Sequence, residues 1–129
     1  MMRLPLAAVL ALSLTSGLAL SLTSGFALAQ DAAAGQKAFA KCRTCHALEA
    51  GKNGVGPSLA GVFGRKSGTG AGFKYSDAMV AKGVTWDETS IAAYLADPKG
   101  YIPGNKMVFP GIKKESEVAD LIAFLKTAK

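Results

Sequence analysis

Cys42-Arg43-Thr44-Cys45-His46 holds both cysteines and the only histidine of a 129-residue chain. The C-x-x-C-H spacing is the attachment signature of a c-type haem. Each thiol adds to one vinyl group of the porphyrin, and two intervening residues let one turn of chain reach both. His46, next in line, then lies under the iron and offers its imidazole as proximal ligand. Two other chemistries use a C-x-x-C pair. A thioredoxin-like dithiol sits in a βαβ pattern, which these flanks lack. A zinc site needs third and fourth ligands, and the chain has no other Cys or His. The expected cofactor is therefore haem c, one per chain and covalently bound.

On the N-terminal side of this motif, Asp31 to about Lys41 is Ala-rich and reads as a short helix, with Asp31 complementing the helix dipole. Gly35 in its middle points to close packing by another backbone. On the C-terminal side, Gly51 to Gly72 contains eight glycines in 22 residues, plus Pro57. No helix or strand pattern survives that density, and a loop this long is expected to wrap around something. Ser76 to about Lys82 is a short helix with Ser76 as N-cap and Gly83 as stop. Asp87 caps a second helix, Glu88 to Ala96, which Pro98 ends. Tyr101 to Gly111 is loop again. Ser116 to Ala128 is the clearest helix, with Val118, Leu121, Ile122 and Leu125 at i, i+3, i+4 and i+7. No strand alternation appears, so the fold class is all-α with long loops.

Residues 1–29 have a different character. A basic start, Met1–Arg3, precedes an uncharged apolar stretch that ends in Ala27-Leu28-Ala29, a small-x-small cleavage signal. Its length comes from a tandem duplication, Leu12–Ala19 followed by Leu20–Ala27. About 20 apolar residues could also anchor a chain in a bilayer. Repeated Ser and Thr, together with the cleavage signal, favour a bacterial secretory leader removed before Gln30. The expected domains are thus a signal peptide, 1–29, and one small domain, 30–129, destined for the periplasm. Residues 30–129 keep 13 of the 15 glycines and a net charge one unit below the +6 of the whole chain. So thin a core suits a fold built around a cofactor. A two-domain enzyme, a multi-pass membrane protein and a disulfide-stapled scaffold are all excluded.

The iron's sixth ligand is less determined by the residues themselves. Met79, Met107 and the lysines are candidates. Met79 sits in a short helix, where methionine usually fills core. Met107 lies in the Pro/Gly loop Tyr101-Ile-Pro-Gly-Asn-Lys-Met-Val-Phe-Pro-Gly111, which can present a thioether inward, and is favoured.

At this point the chain resembles the class I cytochrome c family, in particular mitochondrial-type cytochrome c and bacterial cytochromes c2. The resemblance covers essentially residues 30–129. It rests on Gly35 and Phe39, Cys42–His46, Gly56-Pro57-Ser58-Leu59, Gly61-Val-Phe-Gly-Arg-Lys66 and Gly72-Phe-Lys-Tyr75. Trp86, Tyr94-Leu95, Asp97-Pro98-Lys99, Tyr101-Ile-Pro-Gly104, Lys106-Met107 and Asp120–Lys126 complete it. It implies the small class I cytochrome c fold, with Met107 as axial thioether and the Pro57 carbonyl accepting a hydrogen bond from His46. It also implies that Arg65, Tyr75 and Trp86 contact the haem propionates, that Tyr94 lies near the Met107 sulfur, and that Gly35 lets the first helix cross the last. The chain departs from the mitochondrial pattern at Met79, where an Asn is common, at Asn105, which replaces a Thr, and at Asn53, which replaces a His.

His/Met ligation fills both axial positions, leaving none for substrate or O₂, and a thioether raises the potential. The expected function is that of a soluble periplasmic single-electron carrier and not an enzyme. It would take electrons from a cytochrome bc1 complex and pass them to a cytochrome oxidase or photosynthetic reaction centre. Lys41, Lys52, Lys99, Lys106, Lys113 and Lys114 would steer this monomer onto acidic faces. Scattered basic residues do not suit nucleic acid. The alternative is a haem peroxidase or gas-binding protein, which requires a labile sixth ligand.

Overall fold

A computed structural model describes residues 30–129; the leader, its repeat and its cleavage signal lie outside the described residues. Five α-helices follow in order among the described residues. They are α1 (Ala32–Ala38), which runs into a 3₁₀ turn at Phe39–Lys41, α2 (Asp77–Lys82), α3 (Glu88–Ala96), α4 (Pro98–Tyr101) and α5 (Glu115–Leu125). The all-α expectation stands. The only β feature among the described residues is an isolated antiparallel bridge between Lys66 and Thr85.

Local chemistry explains where these helices begin and stop. The Asp31 carboxylate accepts from the N–H groups of Ala33 and Ala34, and Ser76 Oγ accepts from Met79. Asp87 and Ser90 form a reciprocal capping box at α3. The Ser90 backbone N–H, with help from its hydroxyl, holds the Asp87 carboxyl below its usual range. Gly83 stops α2 in the left-handed region at φ 62°.

Pro98 does more than end α3. It occupies the first position of α4, with Asp97 as N-cap accepting from Gly100 N–H at 3.0 Å. A proline lacks an N–H that the first turn would leave unpaired anyway, so the same residue closes one helix and opens the next. At the other end, α5 begins at Glu115 and stops at Leu125, three residues before the expected Ala128. Thr127 and Ala128 donate to Phe124 and Leu125, three residues back, and the Ala128 carbonyl accepts from Gly61 N–H. The tail thus leaves the helix to tie down the glycine-rich loop.

The dominant helix pair is α1 against α5. A Cβ on Gly35 would strike the Asp120 carbonyl and come within 2.8 Å of Phe124 Cβ. The crossing needs a bare α-carbon there, which accounts for a glycine inside a helix. Phe39 and Phe124 stack at 5.4 Å between ring centroids beside it, and Leu121 is wholly buried. This pair forms the platform on which the C-x-x-C-H turn sits.

Candidate cofactor crevice

Phe39, anchored in the core, fixes the start of the attachment motif. Its carbonyl accepts from Cys42 and Arg43, and the Cys42 carbonyl accepts in turn from Cys45 and His46 at 3.0 and 2.9 Å. One tight turn therefore presents two free thiols and the imidazole together. Burial pushes the Cys42 thiol up, and neighbouring Lys41 partly offsets it.

The His46 ring is held from two directions. Its Nδ1 lies 2.7 Å from the Pro57 carbonyl, as the resemblance implied. A carbonyl can only accept, so Nδ1 carries the proton and Nε2 keeps its lone pair for a metal. Gly56 lies flat against the ring: a Cβ there would come within 2.8 Å of Nδ1 and 2.9 Å of Nε2. The sequence marks Gly56 as part of the Gly56-Pro57-Ser58-Leu59 motif; its contact with a ring ten residues away belongs to the folded chain.

These groups face a cavity of about 260 Å³ with mainly apolar walls. Cys42, Cys45, His46 and Met107 all line it, and so does Met79. Tyr94 on α3 places its hydroxyl 3.8 Å from the Met107 sulfur and 3.4 Å from Asn105 Oδ1. Burial pushes the Tyr94 phenol up to about 12, so it remains a neutral donor across the physiological range. Arg65, Tyr75 and Trp86 also line the cavity. Arg65 donates to the carbonyls of Ser58 and Ala60, both at 3.3 Å, while Tyr75 accepts from Gly70 N–H at 3.1 Å. Among the described residues no protein group accepts from the Tyr75 hydroxyl or the Trp86 indole N–H, so both can serve a polar ligand edge.

Two asparagines organise the rim, and residue type alone did not disclose it. Asn53 accepts from Ser58 N–H and donates to the Ala71 carbonyl, both at 3.0 Å, stapling the two ends of the glycine-rich stretch together. Asn105 braces the Met107 loop.

The six lysines do not form one set. Lys41 and Lys106 border the crevice. Lys41 pairs with Glu117, Lys52 with Glu49 at 3.2 Å, and Lys113 donates to the Ala96 carbonyl at the end of α3. Lys114 borders a separate, shallower depression between α1 and α5. Lys99 is exposed and lines neither.

The residues present fit a covalently attached haem: two free thiols and an oriented imidazole on one turn, a thioether across apolar walls, and spare donors. Among the described residues there is no group of three or more His, Cys, Asp or Glu placed to hold a metal ion.

Comparison with known proteins agrees. A family model described as Cytochrome c matches residues 32–129. Cytochrome c2 iso-2 of Magnetospirillum fulvum is 64% identical over 90 residues, covering 70% of this chain and 94% of that protein. Cytochrome c2 of Blastochloris viridis is 54% identical over 99 residues, covering 76% and 78% respectively. Among solved structures, cytochrome cH from Methylobacterium extorquens superposes with a TM-score of 0.71 at 55% identity, covering 75% of this chain and 98% of that one.

Proposed function

The chain belongs to the cytochrome c family, and from that membership we propose how its residues serve an electron carrier with one covalently attached haem c. Cys42 and Cys45 would form the thioethers, and His46 and Met107 would hold the iron. The observation that carries this reading is the convergence on one apolar cavity of both thiols, the Met107 side chain and an imidazole whose Nδ1 is committed to Pro57.

When bound, the haem supplies a one-electron couple between ferrous and ferric iron. The protein's part is to hold both ligands through the change of charge. Pro57 and Gly56 fix the ring plane of His46, and the loop before α5 presents Met107. A thioether and an apolar wall both favour the lower charge, which raises the potential. With His46 and Met107 both holding the iron, no position would be left for a substrate, and the role would be transfer without bond chemistry. Arg65, Tyr75 and Trp86 serve the propionates, whose charge would otherwise be costly to enclose.

In this reading residues 1–29 are a cleaved leader, and the monomeric domain 30–129 works in the periplasm. It takes electrons from a cytochrome bc1 complex and delivers them to a cytochrome oxidase or photosynthetic reaction centre, in respiration or photosynthesis. No helix among the described residues is long and apolar enough to cross a membrane.

The deciding experiment compares two methionine variants of the mature holoprotein. Met107→Ala should abolish the far-red Fe–S(Met) absorption band of the ferric protein, open the sixth position to CO in the ferrous state, and lower the potential. Met79→Ala should keep the band. The opposite pattern would transfer the ligand role to Met79, and high-spin iron in the parent protein would favour a peroxidase or gas-binding role.

A further inference from the structure

The segment that carries Met107 is poorly secured by its own backbone. Asn105 N–H donates to the Ile102 carbonyl at 3.1 Å, and the next backbone–backbone hydrogen bond among the described residues is Ile112 N–H to Leu95, at 2.8 Å. Residues 106–111 make none. The main chain at Met107 is instead held by one side chain. Asn105 Oδ1 accepts from Met107 N–H at 2.8 Å.

The rest of that carboxamide is fully engaged. Its Nδ2 donates to the carbonyls of Pro98 and Ile102, both at 2.8 Å, at the two ends of α4. Its Oδ1 also accepts from the Tyr94 hydroxyl on α3 at 3.4 Å. Both donors and both acceptor sites of the amide are thus used. The arrangement fixes the amide's orientation. A flip would set NH₂ against the Met107 N–H and oxygen against two carbonyls.

We propose that Asn105 is the positioning residue for the Met107 thioether, tying the otherwise unbraced loop to α3 and α4. The proposal rests on the reading above that Met107 is an axial ligand. A neutral thioether is retained by the preorganisation of the chain behind it, so the group that fixes that chain governs how readily an outside ligand displaces it. No other common side chain reproduces the pattern. Aspartate keeps the acceptors but turns a charge on two carbonyls. Threonine has one donor and must abandon one carbonyl. Leucine has the bulk and none of the bonds.

The test is imidazole binding to the ferric holoprotein at neutral pH, read by loss of the far-red Fe–S(Met) band. Asn105→Leu and Asn105→Asp should bind imidazole at least tenfold more tightly than the parent, and Asn105→Thr should fall between. If the first two fail to accumulate, Asn105→Thr alone decides, with at least a threefold gain expected. Gly35→Ala, which strains the fold far from this loop, is the control. It should lower the thermal midpoint while leaving imidazole affinity within twofold of the parent. Asn105 variants within twofold of the parent, or a Gly35→Ala variant that binds as tightly as they do, would overturn the positioning role. A far-red band that survives in Met107→Ala would show instead that the ligand assignment itself is wrong, and both readings would end together.

Discussion

Tyr94 shows how a single residue links burial to chemistry. Its phenol is pushed up to about 12 because the anion would lose solvation in the crevice wall. The unfolded chain would release this proton near 10.0, the ordinary value for tyrosine, whereas the folded chain keeps it until about 12. The tyrosine's contribution to folding is therefore complete below the lower value and disappears as pH rises through the upper one. Denaturation midpoints at about pH 9 and about pH 11 should show a steeper alkaline loss for the parent than for Tyr94→Phe. Equal slopes would mean that the phenol is not desolvated. Other site residues divide by how far their partners lie in sequence. Cys42, Cys45 and His46 are legible because a fixed spacing along one turn is their whole requirement. The contacts of Gly56 and Asn53 are not, because the His46 ring and the Ala71 carbonyl come from other segments, and those of Asn105 are not, because they depend on how the turn around α4 closes.

Helices were legible in proportion to the local chemistry that bounds them. Ser76 and Gly83 delimit α2, and the Asp87–Ser90 box opens α3, all within reach of a few residues. The end of α5 differs from its periodicity because its last carbonyls are claimed by a tail that turns back to Gly61, a contact no periodicity encodes. The α4 turn is not legible from the proline alone, because Pro98 marks a stop for α3 as readily as the start of a new turn. The α1–α5 crossing makes a sharper claim. Gly35→Ala should destabilise the protein by about 1–3 kcal/mol, since its methyl would have to displace the Asp120 backbone and Phe124. In a domain this size that corresponds to a fall in thermal midpoint of about 4–8 °C per kcal/mol. A helix propensity effect alone would stabilise the variant, so the sign of the change decides whether the crossing governs.

For the molecule as a whole, the proposed carrier, residues 30–129, would keep a net positive charge one unit below the chain's +6, which would draw it toward acidic partners, and the lysines at the crevice would then count most. Lys106 borders it, whereas Lys114 faces the depression between α1 and α5. Lys106→Glu should slow electron transfer to an acidic partner at low salt more than Lys114→Glu does, and added salt should shrink the difference. Equal slowing would indicate steering by net charge alone. Gradual loss of the parent's rate with rising ionic strength is expected in either case.

What the linear order of residues determined was the cofactor and its chemistry. Covalent attachment needs two thiols and an imidazole at a fixed short spacing, and helix caps and glycine stops act over a similar range. Packing decided the rest: that Met79 and Met107 both reach the cavity, that only two of six lysines border it, and that a single asparagine braces the loop behind Met107. The first two outcomes depend on segments tens of residues apart meeting in space, and the third on how the chain from Tyr94 to Met107 closes on itself. Their contact is set by how helices cross and loops close, which no local run of residues specifies.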